Sequence, residues 1–342
     1  MGSRIKYALL LFILFTNIGM QLSAQDSLGI FKDDKPLEIS VSTDLKKLIS
    51  EKENETMQKA QFSMTLPDGK VLSAPIDIKA RGHFRKELCQ IPPVNLVFKN
   101  NVGPFKYLKT LKLVNACKPG SSFEQLIFKE YLCYLMFCEL TPMSLKVRLV
   151  HVNFMDSANR RKPFIYYGFV IEDMGLMAKR NGFKEVKRER LHTELANRDY
   201  MTLVATFQYL IGNTDWSVPA VHNIKFMVPK DSLETAKAYA VPYDFDYCGM
   251  VDAPYAEPDE LLGITKVTER VYRGYPRTMD ELQQKVDLYN SKKDKFYGLV
   301  RNCTWLEKNT VLDMIDYLDQ FYKTINDPKA LKNVFIENAR RD

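Results

Sequence analysis

Asp215 and Asn223 stand eight residues apart, in Gly212-Asn213-Thr214-Asp215-Trp216 and His222-Asn223-Ile224-Lys225, just before an apolar stretch that reads as a strand. Asp244 and Asp246 follow in Pro242-Tyr243-Asp244-Phe245-Asp246, at the end of a second strand expected over Ala238–Val241. An Asp, an Asn and a pair of carboxylates in this order are the parts that phosphoryl transfer requires. One carboxylate orients or deprotonates the attacking hydroxyl, and an amide with a second carboxylate holds the metal on the phosphates. Asp215 is the candidate catalytic residue. Asn223 and Asp244 are the candidate metal ligands, with Asp246 as second ligand or support, because Mg²⁺ takes hard oxygen donors and keeps several waters. On an extended segment Asp244 and Asp246 face the same side. Plainer roles compete: an Asx turn or cap for Asp215, and carboxylates bonded to loop backbone for the other two.

The order of these segments resembles the CotH-type kinase family of atypical secretory kinases. Arg81-Gly82 is similar to that family's early Arg-Gly turn. Gly168 to Glu172, an apolar strand ending in Glu, resembles its middle strand. Asp215 with Asn223 resembles its catalytic loop, and Asp244 with Asp246 its Asp-x-Asp strand end. The likeness runs over roughly residues 75–250 and rests on order and spacing. It implies a two-lobed kinase-like fold, with Mg²⁺ and ATP as cofactors and Glu172 near the nucleotide. Lys79 and Arg81, on one face of a strand, are candidates for the nucleotide phosphates, since Arg suits bidentate phosphate contact. The chain departs from the pattern in carrying His83-Phe84-Arg85 after the Arg-Gly, and it has no Gly-x-Gly-x-x-Gly loop.

The elements that must hold these residues read as α+β. Residues 37–172 form a sheet-rich N-terminal lobe, with alternating strands over 37–41, 61–66, 71–79, 94–98, 110–114, 145–154 and 163–171. A buried helix interrupts them over 123–140, with Ser121 and Glu124 spaced as a capping box. In a kinase-like fold Glu124 or Glu130 on this helix would pair with a phosphate-contacting Lys or Arg; an ordinary surface salt bridge is the competing and favoured role for either. Residues 173–342 carry a short helix over 173–181 and a charge run over 184–190 that reads as solvated surface. An amphipathic helix over 198–211 then delivers the chain to Asp215. Helices over 278–290, 293–301, 309–323 and 328–338 follow.

Residues 1–24 read as a secretory signal. Arg4 and Lys6 precede an apolar run over 7–15, and Leu22-Ser23-Ala24 offers a cleavage site. A polar, flexible lead-in is expected over 25–36, with no membrane span after signal removal and an exported, periplasmic or secreted product. The 342 residues carry a net charge of +7. That mild excess suits a nucleotide better than nucleic acid, whose readers concentrate basic charge in a stripe. Six cysteines in an exported chain permit disulfides. Cys89 with Cys117 is one expected pair and Cys248 with Cys303 a looser second, while Cys133 and Cys138 read as small core residues. Four scattered histidines show no zinc spacing, and no Gly-x-Ser-x-Gly elbow is present. His222 reads as a hydrogen-bonded structural residue. Three functions stay open: an exported kinase acting on a protein or glycan hydroxyl, an inactive kinase-shaped binding module of the cell envelope, and a metal-dependent hydrolase.

Overall fold

The computed structural model describes residues 29–33, 35–99, 103–106, 108–118 and 120–341. The expected signal over 1–24 lies outside these residues. Seven strands form a closed barrel: β1 (Leu37–Thr43), β2 (Gln58–Thr65), β3 (Val71–Ala80), β4 (Val94–Val97), β5 (Thr110–Asn115), β6 (Val147–Asp156) and β7 (Phe164–Ile171). Their order around the barrel is β1-β2-β3-β4-β5-β7-β6. All neighbours are antiparallel except β1 and β6, which run parallel from Leu37 opposite Val150 to Thr43 opposite Asp156.

That parallel seam overturns the expected two-lobed kinase-like fold. The N-terminal region is a barrel without free edges rather than an open sheet lobe. Alternating hydrophobicity tells which face of a strand is buried, but not which strand it pairs with. Here the closing partner lies more than a hundred residues away along the chain. Inside the barrel Phe62 meets Phe98 and Phe105 with ring centroids 5.3 and 5.8 Å apart. The segment before β1 is anchored: Ile30 is buried, and Arg148 on β6 donates to the carbonyls of Ile30 and Lys35.

A second, three-stranded antiparallel sheet, ordered β10-β9-β8, holds β8 (Phe183–Val186), β9 (Ile224–Pro229) and β10 (Tyr239–Pro242). The charge run expected to be solvated surface therefore begins as an edge strand, a place where charged side chains are common because they discourage further pairing. The helices are α1 (Leu45–Ser50), α2 (Phe84–Leu88), α3 (Ser121–Leu140), α4 (Met174–Arg180), α5 (Arg198–Ile211), α6 (Met279–Ser291), α7 (Lys293–Arg301), α8 (Lys308–Asn326) and α9 (Pro328–Lys332). None of the described helices is long and apolar enough to cross a membrane.

Two long helices form the floor beneath the second sheet and the barrel. In α3, Ile127, Phe128, Tyr131, Leu132, Tyr134, Met136 and Phe137 are all buried. Gly120 occupies its N-cap, so the expected capping box does not form. Glu124 instead accepts from the Tyr167 N–H of β7 at 3.1 Å. A capping box does form on α6, between Thr278 and Glu281. Helix α5 has the amphipathic pattern expected of it, yet it is buried on every side from Tyr200 to Ile211, because α3, β10, α6 and α8 all pack on it. Cys89 and Cys117 are bonded, with Cα atoms 4.0 Å apart. Cys248 does not pair with Cys303; its sulfur lies 3.9 Å from that of Cys133 on α3, and all of these thiols are free.

Candidate active site

Helix α5 ends at Gly212, whose φ of 65° is the left-handed conformation that glycine adopts without strain. A Cβ there would lie 2.0 Å from the Tyr317 hydroxyl, so only glycine fits. The sharp exit puts Asn213 in the core, where its Nδ2 donates to Gln208 Oε1 and its Oδ1 accepts from the Asp215 N–H at 3.0 Å. This Asx turn aims the Asp215 side chain out of the core.

The chain then loops through Ser217 and His222, which form a single β-bridge, and enters β9. Both oxygens of Asp215 are held. His222 Nε2 is 2.7 Å from Oδ1, and Asn223 Nδ2 donates to Oδ2 and to the Asp215 carbonyl, each at 2.9 Å. A carboxylate only accepts, so the amide NH₂ of Asn223 must face Asp215 and its Oδ1 is left for another donor or a cation. Asn223 is also tied to the next strand, since its carbonyl accepts from the Tyr243 N–H.

The segment after β10 is not extended. Asp244 has φ 67°, and its N–H donates to the Tyr134 hydroxyl of α3 at 2.9 Å. Phe245 is fully buried, its ring 4.6 Å from that of Tyr134 and 5.5 Å from that of Phe207. This anchor places Asp244 and Asp246 at one cavity although the backbone turns between them. No hydrogen bond or ion pair from the described residues reaches the Asp244 carboxylate. Asp246 is buried and accepts from the Tyr255 hydroxyl at 3.1 Å.

The opposite wall comes from the barrel. Arg81 and Gly82, with φ 87° at the glycine, leave β3 and lead into α2. The Cys89–Cys117 bond ties the end of α2 to the end of β5. Helix α2 thereby carries Arg85 inward to Glu130 of α3, 2.9 Å away, with Asp246 at 3.9 Å. Burial pushes the Glu130 carboxyl up to about 8 against the pull of Arg85. Burial, then the charge of Asp244, pushes Asp246 up to about 6. The Arg85 guanidinium stays charged, since the surrounding acidic groups outweigh the cost of its burial.

Arg81, Asp215, Asn223, Asp244 and Asp246 thus line one cavity of about 350 Å³, together with His83, Phe84, Arg85, His222 and Tyr247. Two expected residues do not line it. Lys79 Nζ lies 3.5 Å from Glu55. Glu172, at the end of β7, takes a bidentate contact from Arg180 and accepts from the Lys146 N–H, joining the barrel to α4. Sequence reasoning passed over Arg85, which sits on a helix of only five residues, and Lys112 of β5. Lys112 stands 5.7 Å over the Tyr243 ring. Its ammonium is pushed down by burial and by Arg81, against the pull of Asp173 and Asp244. An unusual cation beside an acidic cluster has no sequence signature. Glu130 did have one: a carboxylate directly before the apolar run from Tyr131 to Cys138.

Among the described residues no group of three or more His, Cys, Asp or Glu is arranged to hold a metal ion. Mg²⁺ asks for less, being held by one or two carboxylates with waters and phosphate oxygens. The donor set fits that requirement. Asp244, Asp246 and the outward amide oxygen of Asn223 are hard donors, and no hydrogen bond or ion pair from the described residues occupies the Asp244 carboxylate. A larger groove of about 770 Å³ between α3 and α7 lies away from these groups. No protein-family model matches the chain, and no curated protein matches it either.

Proposed function

We propose that this protein is a Mg²⁺-dependent phosphotransferase that moves the terminal phosphoryl group of a nucleotide to a protein or glycan hydroxyl. The resemblance to CotH-type kinases makes ATP the expected nucleotide and an exported location the expected one. The observation that supports this reading most is the meeting of Asp215, Asn223, Asp244 and Asp246 with Arg81 and Arg85 in one cavity. In this reading Asp215 orients the acceptor hydroxyl and takes its proton as the hydroxyl oxygen bonds to the terminal phosphorus. The bond from that phosphorus to the bridging oxygen breaks, and the nucleoside diphosphate leaves with the electron pair. Arg81 contacts the phosphates and Arg85 steadies Asp246. Asn223, Asp244 and Asp246 would hold Mg²⁺, which neutralises phosphate charge when bound.

The test is release of ADP from ATP by the purified protein with an added hydroxyl acceptor, a serine-rich peptide or N-acetylglucosamine, with and without Mg²⁺, repeated with Asp215→Asn. Mg²⁺-dependent release that falls by at least about a hundredfold in the variant supports the assignment, since general-base contributions are typically of that order. Nucleotide binding with no turnover under any condition favours an inactive binding module. Turnover of phosphate esters with no nucleotide dependence favours a metal-dependent hydrolase.

A further inference from the structure

A second cavity, of about 500 Å³, opens on the other side of Asp215. It shares Asp215, His222 and Tyr247 with the first cavity, so the candidate catalytic carboxylate stands in the wall between two compartments. Their chemistry differs. The first has Arg81 and Arg85 among its lining. The second is lined by Trp216, Glu257, Asp259 and Arg273 as well as the shared residues. The first cavity sets two arginines against its carboxylates and the second only one, so the nucleotide phosphates are assigned to the first and the acceptor to the opposite side of Asp215.

We propose that the second cavity is the acceptor site and that it takes a neutral sugar, whose hydroxyl meets Asp215. This rests on the phosphotransfer reading. A pyranose has an apolar C–H face bordered by hydroxyls, which matches an aromatic wall flanked by carboxylates that accept hydrogen bonds. Tyr247 supplies that wall and is braced, its ring 6.1 Å from Phe84 and 5.8 Å from Tyr255. Trp216 is 4 % exposed, and its indole N–H has no hydrogen-bond partner among the described residues. A sugar hydroxyl can donate to Glu257. Arg273 in the lining partly offsets the charge of Glu257 and Asp259, which suits a neutral ligand. The volume is that of a small-ligand pocket rather than an extended peptide groove.

Trp216 is one of two tryptophans. The other, Trp305, lies in the groove beside α3 and α7, so Trp305→Phe leaves an emission signal from the cavity alone. Titrating that variant with N-acetylglucosamine and with cellobiose should shift the emission saturably. Adding Glu257→Ala should weaken the apparent affinity about tenfold, the loss of one charge-assisted hydrogen bond. Asp259 is left intact because it caps the turn at Leu261. Stabilisation of the same proteins by Mg²⁺-ATP, followed as Tm, should be unchanged by Glu257→Ala. Emission unmoved by both sugars overturns the proposal. So does a Glu257-dependent response to a Lys- and Arg-rich serine peptide alone, which assigns the cavity to peptides. A sugar response without any Mg²⁺-ATP stabilisation keeps the sugar site and removes the phosphotransfer reading.

Discussion

Glu130 on α3 and Arg85 on α2 form a buried ion pair, Oε2 to Nη1 2.9 Å, and the same guanidinium stands 3.9 Å from Asp246. One cation therefore joins the barrel, the long core helix and the strand-end carboxylates. Removing it leaves two acids in the interior without their partner. Arg85→Ala should cost about 1–3 kcal/mol of stability near neutral pH, the usual penalty for leaving a buried polar group without its hydrogen-bond partner. Urea unfolding of the variant measures this. A loss under about 1 kcal/mol would mean that water already solvates Glu130 and Asp246.

The same cluster predicts a pH dependence. Burial raises Asp246 to about 6 and Glu130 to about 8, while the unfolded chain titrates such groups near pH 4. Between about pH 4 and 8 the folded state then binds protons that the unfolded state has released. Stability contributed by these groups is fully present at the acid end of that window and is lost as pH rises through the folded values. Tm should decline from pH 5 to 8. The decline should be shallower in Asp246→Asn, and Mg²⁺ should raise Tm more at pH 8 than at pH 5. A rising Tm across this range with no difference between the two proteins contradicts the assignment.

Gly212 and Tyr317 make a steric prediction about how Asp215 is delivered. Gly212→Ala adds a methyl 2.0 Å from the Tyr317 hydroxyl at a residue with φ 65°. The left-handed backbone alone costs about 1–2 kcal/mol for an L residue, and the clash adds to it. Tyr317→Phe removes the colliding oxygen but also its bond to the Thr268 carbonyl. The double variant should be more stable than the sum of the two single losses, a coupling that unfolding free energies of all four proteins would reveal. Simple additivity would place the methyl elsewhere.

Much of the site was legible because its determinants are local. Gly212-Asn213 announces a helix stop with an Asx turn, and Asp215 and Asn223 are joined by a loop short enough to close on itself. Helix α5 has the bounds expected from its pattern, although its burial on all sides was not foreseen. Non-local features were hidden. Nothing in β1 or β6 marks them as parallel partners, so barrel closure was not readable. Glu172 looked like a strand-end acid facing a nucleotide, yet Arg180, eight residues on, claims both its oxygens. Lys79 shares a strand with the approach to Arg81, but its ammonium turns to Glu55. Asp244 and Asp246 reach one cavity through a left-handed residue and a buried Phe245, not through the simple alternation of a strand.

The central claim is that Asp244 helps to hold Mg²⁺ on a nucleotide. Calorimetric titration of ATP into the protein, in Mg²⁺ and in EDTA, compares the native chain with Asp244→Asn. Asparagine removes the charge while tolerating the φ of 67° at this position. The account predicts saturable binding only with Mg²⁺, weakened at least about tenfold in the variant, with both proteins showing the same unfolding cooperativity. Binding of equal strength in EDTA and in Asp244→Asn, or no binding by the native chain in Mg²⁺, would contradict it.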